Sequence, residues 1–347
     1  MRALMKKLLI VMMLTAAAWA QVARASAPLE KPVVLVNPYP ASGLAEISGS
    51  TATNKVLKIM QNFATPSVTD VVAERAGQMM GAALGRSVTV ERRARGRSIL
   101  GARFVAASAP DGRTLLFTNS IQILTYPRLY ELPYAPLRDF TPVAAIARMP
   151  VVAITAAEGG SGSLREFIGA ARAAPGALNY GSSGDFRSGH LAGELLRAIT
   201  GISAVHVAYN GGNDAVQGVL KRQVEVAFVP LPAALPALPG GKIRVLAIAD
   251  RERHKTLSHV PTMREAGVGD FEAATWFGIF APSGTPPGVV SRLSEGIAAG
   301  MRTVHTERLM LALGLQARYL PAEEFSELMR AEQGKWEPVI GALVPPR

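Results

Sequence analysis

The chain has 347 residues, of which 49% are apolar and 18% charged, so it is long enough for two packed lobes and too apolar to be disordered. It contains no cysteine, which excludes disulfides, thiolate metal sites and a lipid anchor on Cys. A formal charge of +11 suits an anionic ligand or an anionic membrane surface, a statement about association and not about fold.

Arg2, Lys6 and Lys7 precede an apolar run from Leu8 to about Ala20, which is followed by Ala23-Arg24-Ala25. A charged start, an apolar stretch too short to span a bilayer and a small-x-small site predict a secretory signal over residues 1–25. Four of the eleven net positive charges leave with it, so a mature chain from Ser26 carries +7. Export of this kind predicts a free, soluble periplasmic protein with no nucleic-acid partner.

Val33 to Asn37 is a continuous apolar run, as in a parallel strand buried on both faces, and the segment from Tyr39 through Ser42 and Gly43 breaks it into a loop. Residues 44–65 behave as an insertion, in which Thr53 caps a short helix with Val56, Leu57, Met60 and Phe63 on one face. Ser67 or Thr69 caps a longer helix carrying Val72, Ala76, Met79, Met80 and Ala83 on one side and ending at Gly85. Strands are predicted at Val88 to Val90, Thr114 to Thr118 and Val151 to Thr155, with helices at Ala102 to Ala107 and Leu164 to Ala173.

Asn179 to Leu195 carries the strongest functional signal. Asn179 to Gly181 reads as the end of a short strand, Ser182 to Gly189 as a Gly/Ser loop, and Leu191, Leu195, Leu196 and Ile199 as the apolar stripe of a helix. Glycines admit a ligand close to the backbone, serines add hydroxyl donors, and the N–H groups and dipole of a helix start favour a carboxylate or phosphate. An ordinary strand-to-helix turn with a Ser cap is the alternative. Strands at Ala204 to Ala208, Val224 to Val229 and Ile243 to Ala249 follow, with a helix at Asp214 to Leu220, and the chain from about Pro286 reads as helical. Alternating strands and helices imply βαβ units and an α/β fold with mostly parallel sheets.

Several segments in order resemble the Bug/TctC family, the periplasmic solute receptors of tripartite tricarboxylate transporters. They are Ala109-Pro-Asp-Gly-Arg-Thr-Leu-Leu, the run from Tyr130 to Val143, Pro175-Gly-Ala-Leu-Asn-Tyr-Gly-Ser-Ser-Gly, His190-Leu-Ala-Gly-Glu-Leu, Val205-His-Val-Ala-Tyr-Asn-Gly, Val260-Pro-Thr-Met-Arg-Glu-Ala-Gly and Trp276-Phe-Gly-Ile-Phe-Ala-Pro-Ser-Gly-Thr-Pro. The resemblance implies a two-lobed, type II-like periplasmic binding protein: a monomer that closes an interlobe cleft on a small organic mono-, di- or tricarboxylate and docks on membrane permease subunits. It needs no cofactor. Lobe one would comprise 26–148 and 247–347, and lobe two 149–246. By position, the cleft residues are Tyr39, Ser42 and Gly43; Thr69 and Asp70; Asn119 and Ser120; Ser182, Ser183, Gly184, Asp185 and Ser188; with His190 and Tyr209 beside them.

The chain also departs from the family pattern. Only Pro40 and Gly43 remain of a Pro-Pro-Gly-Gly first loop, Asp70 lies beyond the insertion, and a Gly-rich second loop with an Asn is replaced by Arg92-Arg-Ala-Arg-Gly-Arg-Ser-Ile. Val229 stands where an acidic residue is usual, which favours an unsubstituted acid over an amino acid. Arg93, Arg95 and Arg97 either reach the cleft, where a guanidinium fork matches a carboxylate, or form a solvated loop, the usual fate of a charge run. The insertion is either a lid or a surface helix. Two rival functions are a divergent receptor with altered or lost ligand binding, serving as a sensor or interaction partner, and a hydrolase. Against the latter, Ser182, Ser183, Asp185 and His190 crowd into nine residues without a G-x-S-x-G elbow. His190 has a simpler reading as a helix residue bonding nearby backbone. The five histidines are read as lacking an acid at i, i+4, so no zinc site is expected.

Overall fold

The computed structural model describes residues 33–38, 67–85, 87–93 and 98–344. The signal segment, Tyr39, Ser42, Gly43, the 44–65 insertion, Arg95 and Arg97 lie outside the described residues. The strands are β1 (Val33–Asn37), β2 (Val88–Arg92), β3 (Thr114–Asn119), β4 (Phe140–Met149), β5 (Val151–Ala156), β6 (Asn179–Ser182), β7 (Val205–Ala208), β8 (Val226–Pro230), β9 (Ile243–Ile248), β10 (Thr275–Pro282) and β11 (Gln316–Pro321). The principal helices are α1 (Val68–Leu84), α2 (Ile99–Ala106), α3 (Leu164–Ala173), α4 (Ser188–Thr200), α5 (Gly212–Leu220), α6 (Pro287–Met301), α7 (Val304–Ala312) and α8 (Ala322–Leu343).

These strands form two sheets, one ordered β11-β4-β10-β3-β1-β2 and the other β7-β6-β8-β5-β9. The parallel ladders lie where βαβ units were expected: β1 pairs parallel with β2 and β3, and β6 with β7 and β8. Each sheet is completed by antiparallel strands, β10 against β3 and β4 and β11 against β4 in the first, and β5 against β8 and β9 in the second. Both sheets are therefore mixed rather than mostly parallel. Only Pro150 separates β4 from β5, and there the chain passes from the first sheet to the second.

Two strands were not foreseen. β4 contains Pro142, which cannot donate to a central ladder, and a register shift between Ile279 and Phe280 of β10 absorbs it. β11 interrupts the expected C-terminal helical stretch, because edge pairing with β4 overrides the local helical preference. The start of α1 is capped by Ser67, whose side chain accepts from Asp70 N while the Asp70 carboxylate accepts from Ser67 N, and Gly85 ends the helix in the left-handed region at φ 63°.

The chain crosses from the first sheet to the second at Met149 to Val151 and returns between Ile248 and Thr275. A buried ion cluster staples the two crossings. Arg148 Nη2 lies 3.0 Å from Asp250 Oδ1 and also pairs with Glu272, which accepts from Arg251 Nε at 2.7 Å, and the Arg148 guanidinium lies over the Trp276 ring at 4.9 Å. One apolar cluster runs across this joint, including Val36 and Phe280 of the first sheet, Phe228 of the second and Trp336 of α8. No helix among the described residues is long and apolar enough to cross a membrane.

Candidate functional site

Ser182 closes β6, and residues 183–187 turn the chain into α4. The turn uses the left-handed region twice, at Gly184 (φ 124°) and at Phe186 (φ 56°). Gly189 in the first turn of α4 has to be glycine, because a Cβ there would lie 2.0 Å from the Phe228 carbonyl oxygen. Removal of that side chain seats the helix start directly on β8 and against Ser182. The start of α5 comes to the same place: a Cβ on Gly212 would lie 3.4 Å from Ser183 Oγ. Neither helix start is capped by a side-chain hydrogen bond. Two helix N-termini thus flank Ser182 and Ser183, and their amide groups and dipoles favour an anion. Ser183 is 8% exposed, and its Oγ is buried with no hydrogen-bond partner. Such a hydroxyl costs stability in the empty protein unless a ligand supplies the missing bond.

Behind the loop stands a pair of imidazoles. His190 of α4 and His206 of β7 stack with centroids 3.9 Å apart and planes within 8°. Phe186 N donates to His190 Nδ1 at 2.9 Å, Ser182 Oγ lies 2.7 Å from His206 Nε2, and Asp185 Oδ1 lies 3.6 Å from His206 Nδ1. Burial lowers the pKa of both histidines, that of His206 to about 4, with the neighbouring His190 adding to the effect on His206 and Asp185 and Glu194 opposing it. Both rings are accordingly neutral at pH 7.

This grouping corrects one sequence expectation. His190 does have an acid one turn on, with Glu194 Oε1 3.9 Å from its Nε2, and the sequence reading passed over that spacing. Asp185, His190 and His206 also place one possible metal-ligand atom each within 4.8 Å of one another. The arrangement does not suit a metal ion. His190 Nδ1 already accepts a backbone N–H, and lone pairs in two parallel, stacked ring planes run side by side instead of converging on one point. Ser182, His206 and Asp185 also stand in the order of a nucleophile, a base and its orienting acid. Ser182 Oγ is engaged with His206 and Gly184 inside the loop, however, and no G-x-S-x-G elbow presents it to a substrate carbonyl.

The other predicted residues are placed as follows. Ser120 and Ser188 line one small recess, partly open to solvent, with Leu124, Thr125, Leu191, Thr275 and Trp336, so elements of both sheets meet there. The Thr275 hydroxyl in its wall is buried without a partner. Asn119 Oδ1 accepts from Gln122 N at the end of β3. The Asp70 carboxylate is filled by its own surroundings, accepting from Asn37 Nδ2 at 2.8 Å, from Ser67 N and Oγ at 2.9 Å each, and pairing with Arg92 Nη2 at 2.6 Å. Thr69 Oγ1 is 2.6 Å from Ser67 Oγ in the same cap. Tyr209 lies between Gly181 and Gly218 with its hydroxyl directed at Gln223, and Asp185 has a side chain 65% exposed. Arg93 pairs with Glu91 at 2.8 Å and lies over the Phe104 ring of α2. His206, Thr275 and Trp336 were not predicted. Only the β6–β7 register, which sets Tyr180 opposite His206, reveals the role of His206, and a single sequence does not contain that register.

Comparisons with known proteins give consistent matches across most of the chain. The family model described as "Tripartite tricarboxylate transporter family receptor" matches residues 72–344. A UPF0065 protein of a Pseudomonas species is 31% identical over 282 residues, covering 80% of this chain and 83% of its own length. Among solved structures, the R. palustris protein Rpa4515 with adipate is 28% identical with a TM-score of 0.69, covering 90% of this chain and 96% of that one. MatC of Rhodopseudomonas palustris with bound malate is 26% identical with a TM-score of 0.66, covering 90% and 99%.

Proposed function

Because the chain belongs to the receptor family of tripartite tricarboxylate transporters, a family of solute receptors and not of enzymes, we propose that it captures a small organic carboxylate between its two sheets and delivers it to membrane permease subunits. The observation that carries this reading is the buried, unpartnered hydroxyl of Ser183 at the meeting point of two uncapped helix starts. A carboxylate seated there accepts from that hydroxyl and from the amides of α4 and α5, and it gains the favourable end of both helix dipoles. Ser120 and Ser188, which face one recess from the two sheets, supply the polar groups that a closing cleft brings together. The adipate and malate held by the two relatives named above make dicarboxylates the first class to try.

In this reading residues 26–148 and 247–347 form one lobe and 149–246 the other, hinged where the chain crosses between sheets. The protein works as a periplasmic monomer after loss of residues 1–25. Val229, on β8 beside the loop, leaves no carboxylate for a ligand ammonium group, so an unsubstituted acid is preferred to an amino acid. A thermal-shift screen of residues 26–347 against mono-, di- and tricarboxylates and amino acids tests the proposal. A specific ligand at one hundred times its dissociation constant adds about 2.7 kcal/mol of stability. A rise in melting temperature confined to carboxylates is the expected result, and a folded protein that ignores every carboxylate refutes it.

A further inference from the structure

We propose that His206 is the positioning residue of the anion-binding loop: its imidazole, braced against His190, fixes the Ser182 hydroxyl and the Gly184 to Phe186 backbone in the geometry that receives a carboxylate. The inference rests on the reading that this loop binds an anion, and it names the part of the fold that shapes it. Four side-chain contacts of the loop end on one of the two rings or on Ser182. Ser182 Oγ lies 2.7 Å from His206 Nε2, Gly184 N donates to Ser182 Oγ at 3.2 Å, Asp185 faces His206 Nδ1 at 3.6 Å, and Phe186 N donates to His190 Nδ1 at 2.9 Å.

The proton positions follow from these partners. Phe186 N–H needs a lone pair on His190 Nδ1, so the His190 proton sits on Nε2, facing Glu194. On His206 the proton sits on Nδ1, facing the Asp185 carboxylate, which leaves Nε2 to accept from Ser182. The Ser182 oxygen is then free to accept from Gly184 N. A one-way relay runs from the Gly184 amide through Ser182 and His206 to Asp185. Tyr180, tilted against the other side of His206 with centroids 5.0 Å apart, keeps the ring from swinging away. The titratable and charged groups facing His206 are Asp185 from the loop, His190, Glu194 and Arg197 from α4, and Tyr180 from β6. Protonation of His206 turns Nε2 from acceptor to donor and swings the Ser182 proton to its other partner, the Gly184 carbonyl at 3.2 Å. Ser182 then donates to the Gly184 carbonyl instead of to His206.

The test reads the loop directly, in the empty protein. Amide hydrogen exchange at Gly184 and Phe186 is followed by NMR in wild type, His206→Phe, His206→Gln and Ser182→Ala. His206→Phe keeps a ring against His190 but removes both nitrogens, and exchange at Gly184 is expected to accelerate about tenfold, the effect of one lost hydrogen bond, with Ala227 and Phe228 in β8 unchanged. His206→Gln, whose amide oxygen can stand near Nε2, restores protection at Gly184. Ser182→Ala, a smaller change that cuts the same tie, reproduces the acceleration even if the aromatic variant folds poorly, and the double variant is no worse than either single one. Unchanged exchange at Gly184 in both His206→Phe and Ser182→Ala, or effects that simply add, overturns the positioning role. Calorimetry with adipate on the same proteins separates the two readings. About tenfold weaker binding in His206→Phe supports both, whereas a wild type that ignores adipate with the exchange pattern intact refutes only adipate binding.

Discussion

Replacing Arg148 with methionine strands a buried carboxylate at the joint between the two sheets. Arg148 and Asp250 are 8% and 2% exposed, and Nη2 of the first lies 3.0 Å from Oδ1 of the second. Burial already raises the Asp250 pKa, and the Arg148 charge is the largest influence opposing that rise. Without the guanidinium, Asp250 Oδ1 keeps the Arg251 backbone N–H at 2.6 Å but has lost its neutralising charge, and Oδ2 has no hydrogen-bond partner. Glu272 suffers less, since it keeps Arg251 Nε at 2.7 Å. Methionine fills much of the arginine's volume, so the cavity contribution is small and the stranded charge dominates. Breaking a buried pair in this way costs about 3–5 kcal/mol, whereas replacing the whole cluster with neutral groups costs far less. Urea unfolding of Arg148→Met at pH 7 is therefore expected to show that loss, and Arg148→Met combined with Asp250→Asn and Glu272→Gln is expected to recover most of it. A single variant that loses less than about 1 kcal/mol, the range of an exposed pair, or a triple variant less stable than the single one, refutes the reasoning.

Ser183→Ala removes an unpartnered buried hydroxyl, so it leaves the empty protein as stable as wild type or up to about 1 kcal/mol more so, while weakening carboxylate binding; chemical denaturation and calorimetry read the two effects separately. Gly193→Ala puts a Cβ 2.1 Å from Cε2 of Tyr180, which is itself 1% exposed and cannot retreat. This substitution is expected to cost about 1–3 kcal/mol, read as a lower urea midpoint with an unchanged slope. Stability should also fall on acidification. The pKa of His206 is about 4 in the folded chain against 6.5 as its ordinary value, so the unfolded chain binds the proton first as pH falls. The resulting loss begins near pH 6.5, is complete by about pH 4 and amounts to about 3 kcal/mol; His206→Phe should flatten that part of the profile.

Much of the architecture was legible in the residues. Val33 to Asn37 was an apolar run and is a central strand, and the Asn179 to Leu195 pattern of strand, Gly/Ser loop and amphipathic helix is what β6 and α4 form. What escaped was set by tertiary pairing. β4 exists because it pairs with β10 and β11, and β11 because it pairs with β4, and a proline in one and a short, half-buried pattern in the other hid them. The site divides in the same way. The Ser182 to Ser188 loop announced itself by composition, but His206 acts through a hydrogen-bond partner 24 residues away, and Thr275 and Trp336 reach the recess only through the return crossing and the last helix. Asp70 was expected at the cleft because the family pattern has an Asp that opens the first helix; in the structure Asn37, Ser67 and Arg92 fill its carboxylate.

The most direct test of a carboxylate receptor built around Ser183 is titration calorimetry of residues 26–347 with adipate, malate and citrate, repeated with Ser183→Phe, whose ring fills the space between the two helix starts. Saturable one-to-one binding of at least one acid by the wild type, abolished in a folded Ser183→Phe protein, is the predicted result. Binding that survives the substitution would place the ligand elsewhere, and a folded wild type that binds none of the three would contradict the proposed dicarboxylate or tricarboxylate ligand.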